Sequence, residues 1–155
     1  MSNKHIVICD LDGTLADVRH RLHHLEGKKD WAAFNAACVD DPPFEDIISV
    51  VSTLSCEGQT FDWKPLELYI LSGRNEIVRA ETEVWLEKHF GHYSNLLMRG
   101  ANDKRPDVEV KLDMARWIGA TPDNVLCIFD DRQCVVDMWR ANGFRVLQVA
   151  AWKEK

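Results

Sequence analysis

Short apolar runs alternate with amphipathic stretches along most of this chain. Five of the runs lack the strict alternation of a half-exposed strand, and they cover residues 5–9, 66–71, 95–98, 125–129 and 145–150. Apolar runs of this length are typical of strands buried on both faces of a sheet. The pattern therefore predicts five buried β-strands.

Helical patterns separate the predicted strands. Apolar residues recur at helical spacing over 75–90, 107–118 and 133–142, and we predict a further helix over 44–56. Alternating strands and helices indicate an α/β fold built on a parallel sheet. Such sheets bind ligands at the carboxyl ends of their strands, so we expect the functional residues at that edge.

Residues 17–43 interrupt the alternation of strands and helices. The segment ends in Asp-Asp-Pro-Pro, which marks a boundary, and we interpret it as a small, mostly helical cap inserted just after the first strand. The cap belongs to a single domain over 1–155. The stretch 58–65 is predicted to be a surface loop.

Composition and charge narrow the classes of function. The chain has 155 residues, of which 46% are hydrophobic and 28% charged, as in an ordinary globular domain. Its net charge of −6 argues against a broad basic face that coats nucleic acid, but not against gripping one terminal nucleotide. Five scattered cysteines without a CxxC pair, and no signal-peptide or membrane-span pattern, lead us to expect a cytoplasmic protein with reduced thiols and no membrane association.

The candidate chemistry lies at the predicted strand ends. Asp10 and Asp12 follow the first strand, Asp130 and Asp131 follow the fourth, and Lys111 opens the helix before it. Neighbouring carboxylates repel each other unless a cation lies between them, and carboxylate oxygens are the ligands that Mg²⁺ prefers. We predict a Mg²⁺ site whose ligands are the four aspartates.

A phosphoryl group suits this set of residues. Thr14 and Ser72 can donate hydrogen bonds to phosphate oxygens, Gly13 permits a sharp turn of the backbone, and Lys111 adds positive charge. One carboxylate can attack phosphorus, and a second can protonate the leaving group and then activate water. We assign attack to Asp10 and acid–base catalysis to Asp12.

The order of these motifs resembles a known superfamily. DLDGT (10–14), SGR (72–74), Lys111 and DD (130–131) are similar to the motifs of the haloacid dehalogenase superfamily of aspartate-nucleophile phosphatases. This resemblance implies a Rossmann-like parallel sheet, the haloacid dehalogenase fold, with a small helical cap.

A narrower resemblance covers most of the chain. The stretches DVEVK (107–111), FDDRQCVVDMWRANG (129–143) and LQVA (147–150) resemble the 3′-phosphatase domain of phage-type polynucleotide kinase–phosphatases. No GxxxxGK[ST] loop of a kinase half is found, which leaves room for a separate kinase or ligase partner. The stretch between Arg74 and Lys111 looks shorter than in the bifunctional enzymes.

The resemblance carries roles onto matching positions of this sequence. It implies the same nucleophile and acid, an acidic metal pair at Asp130 and Asp131, and catalytic roles for Lys111 and Ser72. It also implies a substrate-binding set of Gly13, Thr14, Arg21, Gly73, Arg74 and Asp107. Arg21 and Arg74 would neutralise the phosphoryl group or a neighbouring phosphodiester, and Asp107 could pair with Lys111 one helical turn away.

Several residues also have plain structural interpretations. Lys111 and Asp107 could form an ordinary solvated pair, and Asp131 could orient Lys111 or a metal-bound water. The basic run RHRLHHLEGKK (19–29) is either a solvated helix face or a surface for an anionic substrate. Trp31, Phe34 and Cys38, at helical spacing, are interpreted as the core of the cap and not as base-stacking residues.

The predicted function is a Mg²⁺-dependent phosphomonoesterase that removes 3′-phosphates from polynucleotide ends through an aspartyl-phosphate intermediate. The main alternative is a nucleotidase acting on free nucleoside monophosphates. A dehalogenase would not need the Asp12 acid or the metal ligands, and a silent module that binds nucleic-acid ends would not need the catalytic set.

Overall fold

The computed structural model describes residues 5–56 and 65–150, so the loop predicted over 58–65 lies almost wholly outside the described residues. The strands in this part of the chain are β1 (Ile6–Cys9), β2 (Glu67–Asn75), β3 (Asn95–Arg99), β4 (Val125–Asp130) and β5 (Val146–Gln148). Its α-helices are α1 (Trp31–Ala36), α2 (Glu45–Cys56), α3 (Arg79–His89), α4 (Asp107–Trp117) and α5 (Gln133–Ala141). Short 3₁₀ helices cover Arg19–Leu25, Ala37–Asp40 and Glu76–Val78.

The strands form one parallel sheet in the order β3-β2-β1-β4-β5. The chain builds outward from β1 on one side through β2 and β3, and on the other through β4 and β5. The connection after β1 runs toward β2, and the connection after β4 runs the opposite way, toward β5. Where the connections of two neighbouring strands diverge, a crevice forms at the carboxyl ends of those strands, here β1 and β4. Both the α/β class and the parallel sheet are as predicted.

Both faces of the sheet are buried, as the unbroken apolar runs predicted. Val7 and Cys9 of β1 pack into a cluster with Trp85 and Leu86 of α3. Ile6 and Ile8, which alternate with them, pack into a second cluster that includes Met114 of α4 and Trp139 of α5. Alternate residues of one strand thus fill two different cores.

The second strand is longer than its apolar run. It continues through Ser72, Gly73 and Arg74 to Asn75, and its pairing with β3 is irregular between Ser72 and Asn75. The apolar pattern ends at Leu71 because the following residues are polar, although the backbone stays extended. The Ser-Gly-Arg motif therefore lies inside the irregular end of a strand and not in the turn after it.

Residues between β1 and α2 fold as a short helical insertion. Its two ends are joined where Asp17 N donates to Pro42 O at 2.8 Å and Phe44 N donates to Leu15 O at 2.8 Å. Phe34 and Cys38 are buried as predicted for a cap core.

Trp31 was wrongly predicted to be buried, since 55% of it is exposed. Helix α1 is only six residues long, and Trp31 is its first residue. The rings of Trp31 and Phe34 meet nearly at right angles, with 5.8 Å between their centroids, so Phe34 covers only part of the indole.

Two other expectations from the sequence concern the cysteines and membrane association. Cys9, Cys38 and Cys127 are buried free thiols. Within the described ranges, no helix has the length and apolar character needed to cross a membrane.

The packing of α3 leads to a prediction about stability. Leu86→Ala should lower the free energy of unfolding by about 2–5 kcal/mol, because it leaves a cavity beneath a fully buried side chain. Val84→Ala, on the same helix but at a residue that is 64% exposed, should change it by less than about 0.5 kcal/mol. Urea unfolding measures both, and equal losses would contradict the observed packing face.

Candidate active site

The turn after β1 requires a glycine at position 13. Leu11 O accepts hydrogen bonds from Leu15 N and Ala16 N, both at 2.9 Å, and Gly13 N donates to Ala16 O at 2.8 Å. Gly13 has φ +92°, and a Cβ at this position would collide with the Asp131 carboxylate. Glycine therefore permits both the left-handed backbone and the close approach of Asp131.

A buried lysine joins the ends of β1 and β4. Lys111 Nζ donates to Asp10 Oδ1 at 2.7 Å and to Asp130 Oδ2 at 2.9 Å, and all three residues are buried. Burial alone would lower the pKa of Lys111, but the two carboxylates raise it above its ordinary value. The ammonium of Lys111 therefore stays charged. Lys111 pairs with Asp10 and Asp130 and does not form the solvated pair with Asp107 that the sequence spacing allows.

Among the described residues, two buried side-chain oxygens have no hydrogen-bond partner, and both belong to the DLDGT segment after β1. They are Asp10 Oδ2 and Thr14 Oγ1. A buried polar atom without a partner is costly, and such atoms in a crevice point to a ligand. Lys111 thus fixes one oxygen of Asp10 and leaves the other available.

Three carboxylates form a group that fits a cation. One oxygen from each of Asp10, Asp130 and Asp131 lies within 4.8 Å of the other two. Burial, together with neighbouring carboxylates, raises the pKa of Asp10 well above its ordinary value and that of Asp131 to about 6. Three carboxylates facing one ammonium leave an excess of negative charge, which an oxygen-liganded divalent cation such as Mg²⁺ would balance.

Asp12, the fourth of the predicted metal ligands, lies outside the group formed by the other three carboxylates. Its carboxylate accepts a hydrogen bond from Arg21 Nη2 at 3.0 Å, another from Arg74 Nε at 3.1 Å and a third from Arg74 Nη2. Burial alone would raise the pKa of Asp12, but Arg74 and Arg21 hold it below its ordinary value. The carboxylate therefore lies in an ion-pair network and not in the cation cluster.

The two predicted substrate arginines also bind a second carboxylate, which sequence reasoning missed. Asp41 Oδ1 accepts from Arg21 Nε at 2.7 Å, and Asp41 Oδ2 accepts from Arg74 Nη2 at 2.8 Å. We call Asp12, Arg21, Asp41 and Arg74 the arginine–aspartate quartet. Asp41 lies in the Asp-Asp-Pro-Pro boundary, where sequence alone indicates only a turn.

Ser72 and Gly73 come directly before Arg74 of the quartet in β2. Ser72 Oγ accepts from Arg74 N at 3.1 Å, and a Cβ on Gly73 would collide with the Asp107 carboxylate. Asp107 pairs with Arg99 and, at 2.9 Å, with Arg132 Nη1. Asp107 is therefore a rim residue held by two arginines.

The predicted residues thus gather at the carboxyl edge of the sheet in three adjoining groups. The first is the cation cluster with Lys111, the second is the quartet, and the third is the rim around Asp107. Sequence reasoning missed Asp41, Arg99 and Arg132, and also Trp139, whose Nε1 donates to Asp130 Oδ2 at 3.2 Å.

Comparison with known proteins identifies the family. A model of the polynucleotide kinase PNKP phosphatase domain matches residues 4–152. The chain belongs to this family. It is accordingly a phosphatase domain of the haloacid dehalogenase type, as the motif order predicted.

Similar proteins include a viral one and chains of a repair complex. Over 136 residues the domain is 32% identical to the "Putative bifunctional polynucleotide kinase/RNA ligase" of Autographa californica nuclear polyhedrosis virus, covering 86% of this chain and 17% of the relative. Two structures of the Pnkp1/Rnl/Hen1 complex, one described as an RNA repair complex, match with TM-scores of 0.75 and 0.77 at 29% and 30% identity. These matches cover 96% and 97% of the domain but only 43% and 48% of those chains.

More distant structures share only the fold. A haloacid dehalogenase-like hydrolase from Streptococcus pneumoniae has a TM-score of 0.63 at 15% identity, over 96% of this chain and 85% of its own. The L-2-haloacid dehalogenase of Xanthobacter autotrophicus gives the same TM-score at 14% identity, over 97% of this chain and 79% of its own. The parallel sheet with flanking helices is therefore that of the haloacid dehalogenase fold.

The carboxylate cluster predicts a pH dependence of stability. Without a divalent cation, the free energy of unfolding should fall by about 2 kcal/mol as the pH rises from about 4 to about 7. Folded Asp131, with a pKa of about 6, keeps its proton to a higher pH than an unfolded aspartate, whose pKa is near 3.8, and the raised pKa of Asp10 acts in the same direction. Mg²⁺ added near pH 8 should restore the loss, and urea unfolding with Mg²⁺ or a chelator measures both effects.

The variant Asp131→Asn tests the location of this effect. It should reduce the pH dependence, leaving the part contributed by Asp10, and should remove most of the stabilisation by Mg²⁺, whereas Asp137→Asn, at an exposed residue of α5, should keep both. Equal stabilisation of Asp131→Asn and the wild type by Mg²⁺ would place the cation elsewhere.

Proposed function

We propose that this domain is a Mg²⁺-dependent phosphomonoesterase that removes 3′-phosphates from polynucleotide ends through an aspartyl-phosphate at Asp10. The observation that carries the proposal is the difference between the two carboxylate oxygens of Asp10. Lys111 donates a hydrogen bond to Oδ1, whereas Oδ2 is buried and has no hydrogen-bond partner among the described residues. Membership of the polynucleotide kinase phosphatase-domain family supports the choice of substrate.

Asp10, Asp130 and Asp131 are the residues that would hold Mg²⁺. The bound ion would balance the carboxylates and the charge on the phosphoryl oxygens. Lys111 orients Asp10 so that Oδ2 attacks phosphorus, and the bond from phosphorus to the 3′-oxygen breaks. Thr14 Oγ1, buried and without a partner, donates a hydrogen bond to a phosphoryl oxygen.

Asp12 supplies the proton for the departing 3′-oxygen. In the substrate-free protein the arginines favour its ionised form. An entering phosphate dianion opposes their effect, so Asp12 takes up a proton as the substrate binds. In the second half-reaction Asp12 accepts a proton from the water that attacks the aspartyl-phosphate, and inorganic phosphate is released.

A strand leading to the site would pass the cap. Lys28 and Lys29 are exposed there, and Lys29 Nζ lies 6.0 Å from the centroid of the exposed Trp31 ring. Trp31 packs on Phe34, whose ring centroid is 4.1 Å from Arg21 Cζ. Basic and aromatic side chains on a surface connected to the quartet suit a single-stranded end.

The names of the relatives suggest its role. The viral relative is described as a kinase and ligase, and the repair complex joins Pnkp1 with Rnl. We therefore propose that the domain works with a kinase or ligase, and that its product is a 3′-hydroxyl end ready for joining.

A comparison of substrates tests the proposed function. With Mg²⁺, phosphate release from a 3′-phosphorylated oligonucleotide should exceed release from its 5′-phosphorylated isomer and from free 3′- and 5′-mononucleotides by at least about tenfold in kcat/KM. Asp10→Asn should lower activity at least about 1000-fold, because it removes the nucleophile. A chelator should also abolish it.

Two results would contradict the proposal in different ways. Preference for free 5′-mononucleotides would make the domain a nucleotidase and leave the chemistry intact. Full activity of Asp10→Asn in a clean preparation would overturn the aspartyl-phosphate mechanism itself.

The cap surface gives a separate prediction about strand binding. Replacing Lys28 and Lys29 by alanine should raise the KM for a 3′-phosphorylated oligonucleotide about threefold to tenfold and reduce its salt dependence. The KM for a 3′-mononucleotide should not change, because it has no strand to reach the cap. Lys88→Ala is the matched control, since Lys88 is exposed near the end of α3 that points away from the carboxyl edge. Equal effects on both substrates would contradict strand binding by this surface.

A further inference from the structure

Asp41 is the buried member of the arginine–aspartate quartet that the proposed mechanism does not use. Its side chain is fully buried and contacts three basic side chains. Arg21 donates to both oxygens, at 2.7 Å from Nε and 2.8 Å from Nη2. Arg74 donates to Oδ2 at 2.8 Å, and His20 Nε2 lies 2.8 Å from Oδ1.

The quartet is arranged as a closed ring of alternating charges. The Nη2 atoms of Arg21 and Arg74 each contact both Asp41 Oδ2 and Asp12 Oδ1. A guanidinium is planar and rigid, so fixing it at one carboxylate also fixes the donors that it presents to the other. Asp41 therefore determines where Asp12 Oδ1 is held.

The two oxygens of Asp12 consequently differ. Oδ1 receives donors from both arginines, whereas Oδ2 receives only a longer contact of 3.5 Å from Arg74 Nε among its hydrogen bonds in the described structure. The less engaged oxygen is the one suited to carry a proton to or from a ligand.

Asp41 is itself fixed by the body of the domain. Its carbonyl oxygen accepts from Trp85 Nε1 of α3 at 2.7 Å, and its own amide donates to Cys38 O at 3.3 Å. Arg74 is braced in the same way, since Nη1 donates to Thr82 Oγ1 of α3 at 3.2 Å. The ring therefore joins the cap, β2 and α3 around one catalytic carboxylate.

We infer that Asp41 is a positioning residue that holds Arg21 and Arg74 so that Asp12 keeps Oδ2 available for proton transfer. This inference rests on the proposed function, because it assumes that Asp12 acts as acid and base. In the quartet, the positive charges of Arg21 and Arg74 are balanced by the carboxylates of Asp12 and Asp41. Without the charge of Asp41, both arginines would turn toward Asp12 and also bind its Oδ2 atom.

The variant Asp41→Asn tests this role through the leaving group. With 4-nitrophenyl phosphate, the burst of 4-nitrophenolate reports attack by Asp10, which needs no acid for so good a leaving group. The burst rate should stay within about threefold of the wild type, while the later steady-state rate falls about 10-fold to 100-fold. Single-turnover cleavage of a 3′-phosphorylated oligonucleotide, whose alkoxide needs a proton, should fall by a similar factor.

Three further variants separate positioning from a general structural role. Asp40→Asn, at the exposed neighbouring residue, should behave as the wild type. Asp12→Asn should show the same pattern as Asp41→Asn, and the double variant should be no slower than Asp12→Asn alone, since Asp41 acts through Asp12. Asp41→Glu keeps the charge but shifts both guanidiniums, so it should show a weaker form of the same pattern. It decides the question if Asp41→Asn does not fold.

The possible failures are distinguishable. Equal loss of the burst and the oligonucleotide rate in folded Asp41→Asn or Asp41→Glu would overturn the positioning role, and so would additive losses in the double variant. Full activity of Asp10→Asn would instead overturn the proposed function.

Discussion

The buried ion pair between Lys111 and two aspartates determines how this site is assembled. The lysine comes from α4 and its partners from the ends of β1 and β4, so Asp10 and Lys111 are 101 positions apart in the chain. Bringing these charges out of water costs several kcal/mol per ion, and only close mutual contacts repay that cost. The site therefore forms only when both strands and the helix are in place, which ties its chemistry to the complete fold.

A second consequence is that the two aspartates of one short motif have opposite environments. Asp10 lies among carboxylates and its pKa is raised, whereas Asp12 lies among guanidiniums and its pKa is lowered. In many enzymes the carboxyl with the raised pKa is the acid, and here the order is reversed in the substrate-free protein. The proposed roles therefore need a bound cation to favour the ionised form of Asp10 and the phosphate of the substrate to favour protonation of Asp12. The lowered pKa of Asp12 depends on Arg21 from the cap and Arg74 from β2.

Much of this arrangement follows from the sequence, and the exceptions have physical causes. Buried strands give unbroken apolar runs, and parallel strands bring the residues at their ends together, so the fold and Asp10, Lys111, Asp130 and Asp131 could be predicted. The pairing of Asp12 could not, because its partners Arg21 and Arg74 come from two separate segments, and no spacing in the sequence indicates the contact. Asp41 lies in a turn motif that gives no sign of its contacts, and the exposure of Trp31 follows from its place at the start of a six-residue helix, which the apolar spacing does not show.

The quartet also restricts how the cap can move. Arg21 and Asp41 belong to the insertion, and their partners Asp12 and Arg74 belong to the sheet. Lifting the insertion away as a lid would separate buried charges from their partners, at a cost of several kcal/mol. We therefore expect the insertion to stay seated on the domain, so that a ligand reaches the site without the insertion lifting away. If the domain acts on polynucleotides as proposed, a fixed insertion would favour a protruding chain terminus over a phosphodiester in the middle of a folded strand.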